Sequence, residues 1–197
     1  GARRDVEREE VPSMDGVAER YRRVAGDFTA TVEAVPADRW ESPAPCEGWV
    51  ARDVVGHLVG WVPAFLAAGG GPVPPSGPAV ADDPAGAWRA LDDGIQAVLD
   101  DPVASAAIVD HPRAGARSYA DTVAMFFLGD VLVHTWDLAR ATGLEEALDP
   151  VEVAAMLAGM EPLDEMLRSS GQYGPRVPVP DGADLQTRLI AFTGRRP

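Results

Sequence analysis

A carboxylate and an imidazole occupy places in this sequence where apolar residues would be expected. With Ser118 to Ala141 taken as one helix, Val123, Phe127, Asp130, His134 and Leu138 recur at intervals of three and four and share one face. Asp130 and His134 therefore sit one turn apart within a core-facing stripe. Burying either without a partner is costly, so each must find one. Two arrangements satisfy them: a hydrogen-bonded pair, or a shared divalent cation to which a third side chain contributes. His57 is the candidate third ligand, since it flanks a stripe formed by Val54, Leu58, Trp61 and Phe65. Taken alone, His57 reads first as a core histidine bonded to a carbonyl, and as a ligand only second. Three protein ligands would leave coordination positions open, which is the layout of a catalytic zinc site rather than a closed structural one.

Other reactive side chains carry less. His111 stands beside Pro112 in a predicted loop with no second ligand at useful spacing. Cys46 is the only cysteine, so no intrachain disulfide can form, and with no basic residue next to it in sequence it reads as a small inert hydrophobe rather than a redox thiol. Asp137 and Arg140 lie a turn apart and read as a rim ion pair, with binding of an anionic substrate as the second reading of Arg140. Trp49, Trp61 and Trp136 read as packing residues.

The elements that must position these residues are helical. Ser13 is placed to cap a first helix carrying Val17, Tyr21, Val24, Phe28 and Val35 and ending before Pro36. Residues 36–48 hold three prolines and read as an ordered loop pinned by Trp40 and Trp49. A second helix covers about 50–68, and a Gly/Pro-rich loop follows. Asp83-Pro84 opens a third helix that Asp101-Pro102 ends. A short hairpin is expected around His111. Ser118 and Asp121 form a capping-box signature for the fourth helix, with Gly143 as its left-handed cap. A fifth helix starts at Asp149-Pro150 and must kink or split at Pro162. An extended piece over 177–180 and a last helix bearing Leu185, Leu189 and Phe192 complete the chain. The expected organisation is a mainly all-α bundle over 14–170, a tail over 171–197 packed on it, and a charged extension over 1–13.

The net charge of −14 and pI near 4.5 argue against nucleic acid as a partner. All 17 basic residues are arginine, a bias expected of a GC-rich coding sequence. The longest apolar stretches are interrupted by His57, Asp130 and glycines, so no membrane span is expected. With no basic-then-apolar leader pattern and one cysteine, a cytoplasmic location is expected. Bundles of this kind can form homodimers through helix faces, although no exposed apolar stripe demands it.

Two runs carry a resemblance. Pro-Cys-Glu-Gly-Trp at 45–49, followed by Arg52-Asp53 and His57-Leu58, and Gly-Asp-Val-Leu-Val-His-Thr-Trp-Asp-Leu-Ala-Arg-Ala-Thr-Gly at 129–143, resemble the mycothiol-dependent maleylpyruvate isomerase family. That family belongs to the DinB-like superfamily of metal-binding four-helix bundles. The resemblance covers about residues 14–143, and the closing Thr-Gly-Arg-Arg-Pro is similar to the tail of one actinobacterial branch. It implies a four-helix bundle whose metal ligands are His57, Asp130 and His134. It also implies a divalent cation, zinc first with nickel or iron as alternatives, and mycothiol or a similar small thiol as cofactor. The implied function is S-transfer from that thiol to a small electrophile. A non-catalytic metal-binding or stress-associated bundle, and a metal-dependent hydrolase, are the competing readings. Two features depart from the family: relatives commonly carry Glu or His where Asp130 stands, and only 144–197 follow in place of a separate carboxy-terminal domain.

Overall fold

The computed structural model describes residues 16–171 and 173–197. The predicted cap at Ser13 and the charged extension lie outside the described residues. Helix α1 (Val17–Ala34) stops where Val35 turns extended ahead of Pro36. The following loop is ordered by backbone bonds that draw it against the start of α2 (Ala51–Ala68): Ala44 N–H to Trp49 O at 2.8 Å, Ala51 N–H to Ser42 O at 2.9 Å and Arg52 N–H to Trp40 O at 2.9 Å. Within it Trp49 N–H closes a turn onto Cys46 O at 3.0 Å, with Gly48 at φ +77°, a conformation that strongly favours glycine.

Helix α3 (Pro84–Asp100) begins as expected, with the Asp83 carboxylate accepting from Gly86 N–H and Pro84 in the first turn. Where only a stop is expected, a four-residue helix, α4 (Pro102–Ser105), follows, because the Asp101 carboxylate caps it by accepting from Val103 and Ala104 N–H and Pro102 occupies its first turn, a repeat of the cap-then-proline signal. Strands β1 (Ile108–His111) and β2 (Gly115–Ser118) form the expected antiparallel hairpin, pairing Ile108 with Ser118 and His111 with Gly115.

Ser118 then caps α5 (Tyr119–Thr122) through Asp121 N–H. The expected uninterrupted α-helix is instead α5, a π turn over Val123–Phe127, and α6 (Leu128–Thr142), closed by Gly143 in the left-handed region. The widened turn brings adjacent residues Phe126 and Phe127 both toward α2: Phe126 lies 5.0 Å from Phe65, and Phe127 lies 5.2 Å from Trp61, edge to face. The combined run Tyr119–Thr142 is long and apolar enough to cross a bilayer by composition, yet 72% of its most apolar stretch is buried among the other helices. Its hydrophobicity is consumed by the core.

Helices α1, α3, α2 and α6 follow one another around a four-helix bundle, so α2 and α6 are neighbours. Tyr21, Phe28, Leu58, Trp88, Tyr119 and Phe127 fill the interior, with Phe28 edge-on to Trp88 at 4.5 Å. The fifth helix is split as Pro162 requires, into α7 (Pro150–Met160), a 3-10 turn over Glu161–Leu163, and α8 (Asp164–Ser169). Buried Glu152 on α7 accepts two bonds from the Arg20 guanidinium at 3.0 and 2.9 Å, tying α7 to α1. Helix α9 (Leu185–Phe192) packs on α7, and Val177 N–H bonds to Ala191 O at 3.0 Å, which folds the extended tail back along it.

Phe127 is fully buried beneath Trp61. Phe127→Ala should destabilise the protein by about 3–5 kcal/mol; urea unfolding followed by circular dichroism measures it, and a loss below about 1 kcal/mol would contradict the packing described.

Candidate metal centre

Asp130 sits in the first turn of α6 and faces α2 across the apolar interior. Its two carboxylate oxygens are divided among three donors. Oδ2 accepts from His57 Nε2 at 3.1 Å and from the indole N–H of Trp61 at 2.8 Å; Oδ1 lies 3.2 Å from His134 Nε2. His57 and Trp61 are four residues apart on α2, as Asp130 and His134 are on α6. The helical repeat alone thus delivers two pairs of groups to one level of the bundle. The imidazoles of His57 and His134 are 4.7 Å apart, and the ligand-capable atoms of His57, Asp130 and His134 all lie within 4.8 Å of one another.

All three sequence-selected residues therefore meet, and the two sequence-level alternatives for Asp130 and His134 are compatible, because the paired geometry is also a convergent donor set. One carboxylate oxygen and two imidazole nitrogens are suitable donors for zinc and similar divalent ions. The side chains of His57 and Asp130 remain 31% and 27% exposed, whereas His134 is only 6% exposed, so the site opens to solvent on the His57 side.

A second layer holds His134 from behind. Its Nδ1–H donates to Asp137 Oδ2 at 2.8 Å, and the Arg195 guanidinium donates to both oxygens of Asp137, Nε to Oδ1 at 2.6 Å and Nη2 to Oδ2 at 2.8 Å. Asp137 is fully buried. This corrects the expected rim pair of Asp137 with Arg140: three residues beyond His134 on the helix, Asp137 turns inward, while Arg140 forks onto Glu146 at 2.6 and 2.9 Å and covers the Trp136 ring. Arg140 is committed to that pair. A carboxylate bonding the outer nitrogen of a ligating histidine fixes its tautomer and orientation.

Burial opposes charge on His134, but hydrogen bonds to Asp130 and Asp137 outweigh it and raise its pKa to about 9. Desolvation likewise pushes Asp130 upward and is overcome by His134 and His57, which hold its carboxyl well below the usual range. Asp137 is lowered against its own burial by His134 and Arg195. Cys46 Sγ lies 3.6 Å from Asp137 Oδ2 and 3.5 Å from Arg195 Nη2. Burial, then Asp137, pushes its thiol up to about 11 against the pull of the arginine, which disfavours the thiolate form. His111 takes no part: it stacks on Phe65 at 4.0 Å and accepts from Arg113 N–H at 3.1 Å.

Sequence reasoning missed Trp49 and Trp61 as site residues. Trp49 lies 5.9 Å from the His134 ring, nearly parallel to it, and 5.2 Å from His57, so it walls the site rather than merely filling the core. The i+4 spacing of Trp61 from His57, and the i+3 spacing of Asp137 from His134, were signals available in the sequence. Arg195, 58 residues beyond Asp137, had none.

A protein-family profile described as Mycothiol maleylpyruvate isomerase N-terminal domain matches residues 21–139. Two curated proteins of Mycobacterium tuberculosis, uncharacterized protein MT0763 of strain CDC 1551 / Oshkosh and uncharacterized protein Rv0738 of strain H37Rv, are each 29% identical over 181 residues, covering 89% of this chain and 95% of theirs. No solved structure matches.

The raised pKa of His134 sets a pH dependence. Its charged form strengthens the metal-free fold fully below its unfolded value of about 6.5, and that contribution is lost as pH rises through about 9. In chelator, the melting temperature should therefore fall between pH 6.5 and 9.5, and His134→Gln should flatten the slope. An identical slope in the variant would contradict the assignment.

Proposed function

Because the chain belongs to the mycothiol maleylpyruvate isomerase N-terminal domain family, of DinB-like type, we propose that it is a metal-dependent enzyme joining a small thiol of the mycothiol class to a small electrophile. The observation that carries this reading is the convergence of His57 Nε2, Asp130 and His134 Nε2 at the solvent-open end of an otherwise apolar interface between α2 and α6. Zinc suits this donor set, with nickel and iron as the other occupants to test. When bound, the cation supplies the Lewis acidity that keeps a thiol in its nucleophilic thiolate form at neutral pH.

The protein's own groups do the rest. Asp130 contributes a negative charge and is oriented by the Trp61 indole N–H, so it cannot swing toward solvent without breaking that bond. His134 is held by Asp137, while partly exposed His57 marks the side from which small molecules enter. Trp49 and Trp61 flank the His57 imidazole and set apolar ring surface against it, at centroid distances of 5.2 and 5.9 Å.

Purified protein should hold about one divalent ion per chain. His57→Ala, Asp130→Ala and His134→Ala should each weaken zinc binding by more than the roughly 10–100-fold typical of outer-layer partners, as read by competition with a chromogenic chelator. Mycothiol at about 100 times its Kd should stabilise the zinc-loaded protein by about 2.7 kcal/mol and the zinc-free protein hardly at all, as read by thermal shift. Absence of metal binding, or zinc-loaded protein that consumes no thiol across a panel of electrophiles, would sink the proposal; zinc uptake with no thiol response would favour the non-catalytic bundle.

A further inference from the structure

A deeply buried ion pair lies next to the candidate ligands and joins the tail to α6. Asp137 has no exposure, and the Arg195 side chain only 14%. A buried ion pair is seldom a better source of stability than apolar residues of the same volume. Its geometry here points to another role. Arg195 engages both carboxylate oxygens, so the plane of Asp137 is set by the arginine fork. Oδ2 then lies 2.8 Å from His134 Nδ1, and the same imidazole turns Nε2 toward Asp130.

The placement of Arg195 is itself tightly determined. After α9 the chain turns at Gly194, φ +89°, and Arg195 N–H bonds back to Ile190 O at 3.3 Å. A Cβ on Gly194 would come within 3.2 Å of the Gly174 backbone, so glycine permits the close crossing of two tail segments that delivers the arginine. The guanidinium reaches Asp137 past Cys46 Sγ at 3.5 Å, on the far side of His134 from His57.

We propose that Arg195 is a positioning residue of the metal centre: by fixing Asp137 it locks the ring of His134 with Nδ1–H turned inward and Nε2 presented to the cation. The tail following α9 is thereby part of the site, although none of its side chains reaches the ligand atoms. This rests on the metal-dependent reading above, but half of its test needs no metal.

The comparison is between Arg195→Gln, Arg195→Lys and Leu189→Ala, the last removing fully buried packing from α9 without touching the fork. Zinc affinity of Arg195→Gln should fall about 10–100-fold, and the visible absorption of the cobalt-substituted protein should shift. Arg195→Lys, which keeps the charge but not the fork, should fall between wild type and Arg195→Gln. Leu189→Ala should lose stability yet keep affinity and spectrum. In metal-free protein labelled at histidine nitrogen, the hydrogen-bonded Nδ1–H resonance of His134 should be present in wild type and Leu189→Ala and displaced or lost in Arg195→Gln. Should Arg195→Gln fail to fold, Arg195→Lys carries the same comparisons. Wild-type zinc affinity and an unmoved His134 resonance in the folded arginine variants would overturn the proposal, as would equal losses in Leu189→Ala. If wild type binds no metal, the functional reading fails separately, and the histidine resonance still decides whether Arg195 orients His134.

Discussion

A carboxylate set into the greasy seam between two helices constrains everything around it. Burial disfavours the ionised form of Asp130, and the bundle offsets it with three donors: two imidazoles and an indole. Each comes from a helical repeat of four residues, so the demand is met by register rather than by loops. The neighbouring placement of α2 and α6 is what allows it, because the donors on one helix must face the acceptor on the other at a common height.

The arrangement is electrically layered. Asp130 faces the open side, His134 stands behind it, Asp137 behind His134, and Arg195 behind Asp137, so signs alternate from the mouth inward when His134 is protonated. Every member has a partner of opposite charge, which is how four ionisable groups are accommodated in a protein interior without stranding any of them. The same alternation leaves His134 with Nδ1 committed inward to Asp137 and Nε2 turned toward the partly exposed Asp130. Cys46 lies at the edge of this chain, where burial and Asp137 raise the pKa of its thiol.

Aromatic rings form the other boundary. The Gly48 turn brings Trp49 over the imidazoles, and the π turn before Asp130 aims Phe126 and Phe127 together at α2, supporting Trp61 and Phe65. These rings set apolar surface around the charged groups, while the His57 side chain stays 31% exposed.

Local backbone preferences and the 3.6-residue repeat were enough to determine the long helices, the caps at Asp83, Ser118 and Asp149, the break at Pro162, and the inward face carrying Asp130 and His134, though not the short α4. The family resemblance tied His57 to that pair. The π turn was not legible, because nothing in the run Val123–Phe127 distinguishes it from a regular helix. Asp137 was misread because its face depends on what packs behind α6. Its partner Arg195 stands 58 residues away, and only the folding of α9 against α7 and the crossing at Gly194 bring the two together. Spacing along one helix determines which side chains share a level; which distant charge completes a buried network is decided by how the elements pack, and that information is not local to any stretch of the chain.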